Sequence, residues 1–175
     1  SSGDYVTGNI GSDETVTIRY TVSANGACSG STSDASFTVN AAPSSATNTT
    51  PTSAVCEGTD VTLAGTGTPT VEAGSGTISS GDYVTGNIGS DETVTIRYTV
   101  SANGACSGST ADQSFTVKST PNAGTLSGTQ GICSTGSTTF TSNGDSGGAW
   151  SSGTTGVATI DASTGAITPQ SAGSS

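Results

Sequence analysis

Four cysteines, Cys28, Cys56, Cys106 and Cys133, are the most reactive side chains of a sequence that contains no histidine. Without histidine neither a Ser-His-Asp nor a Cys-His nucleophile can be assembled, and mixed Cys/His zinc ligation is closed as well. No two cysteines have the Cys-x-x-Cys spacing of a metal knuckle or redox motif. Disulfide formation is the chemistry that remains, and it places the protein in an oxidising, extracellular setting. The second candidate is a hard cation. Asp82, Asp91 and Glu92 fall in expected loops that could meet near one end of the sandwich, and calcium takes several oxygen ligands, although no EF-hand or RTX spacing accompanies them. Asp13 with Glu14, and Asp91 with Glu92, are neighbours entering a strand, where successive side chains point to opposite faces. Neither pair is therefore placed for acid/base work, and both read as solvated turn residues. No catalytic residue is expected, and no cofactor apart from calcium.

The elements that position these residues come from a repeat. Residues 1–32 recur unchanged at 79–110, and the match runs on to Lys118 with differences at Ser33/Ala111, Ala35/Gln113 and Asn40/Lys118. The period is 78 residues (79 minus 1). Cys28 and Cys106 are 78 apart (106 minus 28), and Cys56 and Cys133 are 77 apart (133 minus 56). A period of this size turns the chain into an array. Residues 1–40 are the C-terminal part of one unit, 41–118 a complete unit, and 119–175 the N-terminal part of a third. The expectation is a segment of a longer chain whose half-units are completed elsewhere, by further residues or by strand donation from a neighbouring copy.

Within the complete unit, Val94, Ile96, Tyr98 and Val100 alternate with Thr93, Thr95, Arg97 and Thr99, the period-2 mark of a half-buried strand. The copy at 15–22 repeats it. Val61 and Leu63, Phe115 and Val117, and Phe37 and Val39 follow the same rule in shorter runs, with glycine-rich turns between them and no helical stripe. The expected fold is all-β: tandem immunoglobulin-like antiparallel β-sandwich domains of about seven strands, stapled by disulfides. In that frame Cys56 pairs with Cys106 inside the complete unit, closing a loop that adds roughly 4 kcal/mol. Cys28 and Cys133 then find partners outside this stretch.

Three basic residues, Arg19, Arg97 and Lys118, stand against thirteen acidic ones, for a net charge of -10. That balance excludes nucleic acid and anionic membrane surfaces as partners, because phosphate binding needs Lys and Arg. No run approaches a membrane-spanning length, so membrane insertion is not expected. Hydrophobic residues make up only 30% of the chain, so each unit can build only a small core. Threonine at 15, 17, 93, 95 and 99 reads as ordinary exposed-strand threonine, and Trp150 as a core residue of the third unit in preference to a sugar-stacking platform.

The stretch VCEGTDVTL (55–63), followed by YTVSANGAC (98–106), resembles the Ig-like repeats of very large secreted adhesins of the Bacteroidota, including gliding-motility adhesins exported by the type IX system. Trp150-Ser151-Ser152, VATID (157–161) and GAIT (165–168) are similar to a bacterial Ig-like domain of group 2. The resemblance implies an extracellular, cell-surface rod of tandem domains serving adhesion, gliding or a surface filament. Its partners would be neighbouring repeats, copies of the same chain, or surface glycans. A repeat-borne carbohydrate- or calcium-binding module is the alternative. Short linkers with one proline each, NAAPS (40–44) and KSTPN (118–122), limit bending between units.

Overall fold

The computed structural model describes residues 4–170. Among them there is no helix and there are sixteen strands. The chain divides into two compact units, with the boundary between Ser119 and Thr120.

The first unit opens with a hairpin of β1 (Glu14–Val22) and β2 (Ser31–Val39). Nine strands follow: β3 (Thr47–Asn48), β4 (Val55–Cys56), β5 (Val61–Thr62), β6 (Gly65–Thr66), β7 (Thr68–Ala73), β8 (Thr77–Ser79), β9 (Asp82–Val84), β10 (Glu92–Val100) and β11 (Ser109–Lys118). They form a four-stranded sheet in the order β4-β11-β10-β7, a three-stranded sheet β5-β9-β8 and a two-stranded sheet β3-β6. Every pairing is antiparallel except the short parallel contact of β4 with β11.

The core lies between the first two of these sheets. Val94, Ile96, Tyr98, Phe115 and Val117 come from β10 and β11, Val61 and Tyr83 from β5 and β9, and all seven are buried. The intervening residues of β10, Thr93, Thr95, Arg97 and Thr99, turn outward as the alternation requires. Tyr83 meets Phe115 edge to face at 5.6 Å, the arrangement favoured by ring quadrupoles. Val55, Leu63, Val71 and Ile88 close the rim. Asn48 ties the two-stranded sheet to the large one by donating from Nδ2 to the Ile96 carbonyl at 2.8 Å. The register of β7 on β10 shifts between Thr95 and Ile96, leaving Glu72 as an extra residue beside Arg97.

The second unit contains β12 (Leu126–Ser127), β13 (Thr138–Thr139), β14 (Thr141–Ser142), β15 (Ala158–Ile160) and β16 (Ala166–Pro169). They pair as β12-β14 and β13-β16-β15. This matches β3-β6 and β5-β9-β8 of the first unit, so the same half of the repeat pattern is built twice. Phe140, 77 residues after Leu63 (140 minus 63), takes the place of that core-packing leucine.

Candidate functional site

A cluster of specific polar contacts away from regular strand pairing lies where residues 1–40 pass into 41–118. Asp13 precedes β1, and the register that pairs Glu14 with Val39 sets Asp13 opposite Asn40, at the exit of the hairpin. Its carboxylate accepts hydrogen bonds from the Ala41 backbone N–H at 2.8 Å, from Asn103 Nδ2 at 2.8 Å and from Asn40 Nδ2 at 3.3 Å. These donors, with the Ala41 N–H contributing most, hold the Asp13 carboxyl below the ordinary value of 3.8.

The other side of the junction is the turn joining β10 to β11. Asn103 and Cys106 exchange backbone hydrogen bonds at 3.0 and 2.9 Å. The two residues between them begin with Gly104 at φ 55, the left-handed backbone that a two-residue hairpin turn demands and that glycine adopts without strain. The tip meets the hairpin exit: Ala105 N–H donates to Asn40 Oδ1 at 3.1 Å, Asn103 Nδ2 to the Ala41 carbonyl at 3.0 Å, and the Cys106 thiol to the Asn40 carbonyl at 3.4 Å. A turn at the far end of one repeat thus clasps the last residues of the preceding one.

The equivalent exit of the complete repeat uses the same aspartate position. Asp91 accepts from the Ser119 N–H at 3.0 Å and pairs with Lys118 Nζ at 2.7 Å. Lys118, then the Ser119 N–H, hold the Asp91 carboxyl below its ordinary value. Glu92, one residue on, turns to the Ser75 N–H at 3.2 Å and its hydroxyl at 3.0 Å. Asp82 sits within β9 opposite Thr62 and Ser79. The expected calcium set of Asp82, Asp91 and Glu92 is therefore not assembled: Asp91 is engaged by Lys118 and Ser119, Glu92 by Ser75, and Asp82 lies on another strand, β9. Among the described residues no group of three His, Cys, Asp or Glu side chains is placed to hold a metal ion.

The cysteines also fall differently from expectation. All four are free thiols in this structure. Cys56 is the β-partner of Lys118 at one end of β11, whereas Cys106 lies beyond Ser109 at the other. Nine strand steps separate Ser109 from Lys118, roughly 30 Å at the usual rise. A disulfide needs Cα atoms within about 7 Å, so the expected Cys56–Cys106 bond inside one repeat is ruled out by the length of the strand.

Trp150 is half-buried, donates its backbone N–H to the Ala162 carbonyl at 3.0 Å, and borders an open cleft of about 560 Å³ with Leu126 and Phe140. Phe140 holds the place of Leu63, which in the complete repeat packs against the core. The one glycosylation sequon, Asn48-Thr49-Thr50, is occupied structurally: the Asn48 amide serves Ile96, and its Oδ1 accepts from the Thr50 N–H at 3.1 Å.

On the outer face, Arg97 forms a two-point contact with Asp112 at 2.8 and 2.7 Å and reaches the bulged Glu72 at 2.9 Å. Asp112, foremost, raises the Arg97 pKa. Arg19 and Asp34 reproduce the two-point contact at 2.7 Å.

In the sequence Asp13 reads as a solvated turn residue and Asn103 carries no assigned role. The signal was present in the repeat. An aspartate one residue before a strand whose hairpin partner ends at a linker must lie beside that linker. Compared with family models, with curated proteins and with solved structures, the chain matches none.

Proposed function

We propose that this chain is part of an extracellular, repetitive rod of immunoglobulin-like β-sandwich domains that projects from or covers a bacterial cell surface, its repeats acting as semi-rigid spacers in adhesion, gliding or a surface filament. The immunoglobulin-like reading is supported by the strand order: β4-β11-β10-β7 faces β5-β9-β8 across one core, the arrangement of sheets in that fold class. The spacer reading is supported above all by the clasp at the junction. Asp13 and Asn40 of the hairpin exit are held by Ala41, Asn103, Ala105 and Cys106 of the following repeat, which limits bending between consecutive units. The charge is sparse but almost uniformly negative, which keeps neighbouring rods soluble and discourages random collapse.

Small-angle scattering on tandem arrays of two, four and six copies of residues 41–118 tests the reading. The maximum dimension should grow linearly, by roughly 35 Å per copy given strands of this length. Growth with the square root of copy number, as for a flexible string, would overturn the rod.

A further inference from the structure

We propose that consecutive repeats are covalently joined by a disulfide between the Cys56 position of one repeat and the Cys106 position of the next. The inference rests on the tandem arrangement and follows from superimposing the two junctions. Lys118 is the repeat equivalent of Asn40 (118 minus 78). On one side of Lys118 lies Cys56 of the same repeat: the two are Cα partners, and the adjoining Glu57 N–H donates to the Lys118 carbonyl at 2.9 Å. On one side of Asn40 lies Cys106 of the following repeat, its Sγ 3.4 Å from the Asn40 carbonyl oxygen. One exit carbonyl therefore has both cysteine positions as neighbours, one supplied by its own repeat and one by the next.

Within this sequence the two are never seen together. Asn40 has no copy of residues 41–78 before it, and the partner of Cys56 would stand at position 184 (106 plus 78), past Ser175. Both thiols are accessible, Cys56 exposed and Cys106 partly so. The Cys106 turn is already held in place by Asn103 on Asp13 and Ala41, so the cross-link would form across a clasp that exists without it. Such a bond fastens repeat to repeat along the rod, in contrast to a staple inside each domain.

Formation removes one proton and one electron from each thiol. A disulfide-bearing oxidant, oxidised glutathione or a thiol oxidoreductase, accepts them through a mixed disulfide and leaves as two thiols.

The test is peptide mapping under non-reducing conditions of the chain extended at its N-terminus by a copy of residues 41–78, refolded in a glutathione redox buffer. The expected cross-link joins the added copy of Cys56 to Cys106, leaving Cys28, Cys56 and Cys133 as free or glutathionylated thiols. Cys106→Ser should abolish it, and Cys28→Ser should leave it intact. A bond from the added cysteine to Cys28, a Cys56–Cys106 bond, or no protein disulfide at all would overturn the proposal. Three tandem copies of residues 41–118 provide a second chain, in which bonds should run only between successive copies. Linear growth of the scattering dimension without these bonds would sink the disulfide and leave the rod standing, whereas bonds without linear growth would do the reverse.

Discussion

Residues 14–39 and 92–117 are the same hairpin in two settings. All nine residue pairs keep their register under a shift of 78 positions. The outward contacts are kept too: Thr17 with Ser36 and Thr95 with Ser114, both at 2.8 Å, and Arg19 with Asp34 as Arg97 with Asp112. Even the aromatic pair survives, Tyr5 on Phe37 and Tyr83 on Phe115, each at 5.6 Å. Burial is what differs. Ile96, Tyr98 and Phe115 are 0%, 4% and 3% exposed, whereas Ile18, Tyr20 and Phe37 are 45%, 71% and 42% exposed. The later hairpin lies against β5, β9 and β7, whereas in this sequence the earlier one is accompanied only by Asp4–Val6, the counterpart of β9, and by no counterpart of β5 or β7. Alternation and the Asn-Gly-Ala-Cys turn suffice to shape the hairpin. A core needs the other half of the repeat.

Substitution of the shared phenylalanine should separate the copies most. Phe115→Ala should cost about 3–5 kcal/mol in urea denaturation, as for a large buried aromatic, and Phe37→Ala about 1 kcal/mol, the scale of its ring contact with Tyr5. Adding a copy of residues 41–78 before residue 1 should raise the Phe37→Ala cost to match. If the cost stayed small, the two hairpins would not be equivalent halves of one repeat.

Next come Gly30 and Gly108, where an added methyl would run into the hairpin's own backbone, the Val22 and Val100 carbonyls respectively. Gly30→Ala and Gly108→Ala should weaken their hairpins to a similar extent, by about 1–3 kcal/mol, because the clash is local. Amide exchange along β1 and β10 reads it. Damage confined to one copy would mean that surroundings shape the turn after all.

Acid should act on both junctions together. Asp13 and Asp91 have carboxyls held below 3.8 in the folded chain. Their contribution is complete above that ordinary value and is lost as pH falls through the lower folded one. Exchange protection of the Ala41 and Ser119 amides should fade over that range while the amides of β10 stay protected. Asp13→Asn should remove the pH step at Ala41 and leave the step at Ser119.

The smallest effect belongs to the outward arginines. Arg19→Gln and Arg97→Gln should each shift the denaturation midpoint less than any change above, since exposed ion pairs are screened by solvent and salt. Arg97 should matter more, having Glu72 as a second partner. Equal shifts would assign no weight to the bulge on β7.

The long strands were legible because alternation is a property of consecutive residues. Val94, Ile96, Tyr98, Phe115 and Val117 all point inward as read, and the segments named in the third unit, VATID and GAIT, overlap β15 and β16. Two-residue strands such as β3, β4 and β6 carry no period and were not readable. The cysteines show the limit most clearly. Spacing puts one early and one late cysteine in each repeat, and the intra-repeat pairing drawn from that frame fails because it ignores which end of β11 each one meets.

The sequence by itself determined a 78-residue repeat, its hairpin register and the inward faces of its strands, all of which depend on neighbours a few residues apart. Only the tertiary structure decided which copy of the hairpin is buried, that Asp13 and Asn103 meet across 90 residues, and that Cys56 and Cys106 stand at opposite ends of one sheet. Those outcomes depend on how strands order themselves side by side, a long-range arrangement that local periodicity does not encode.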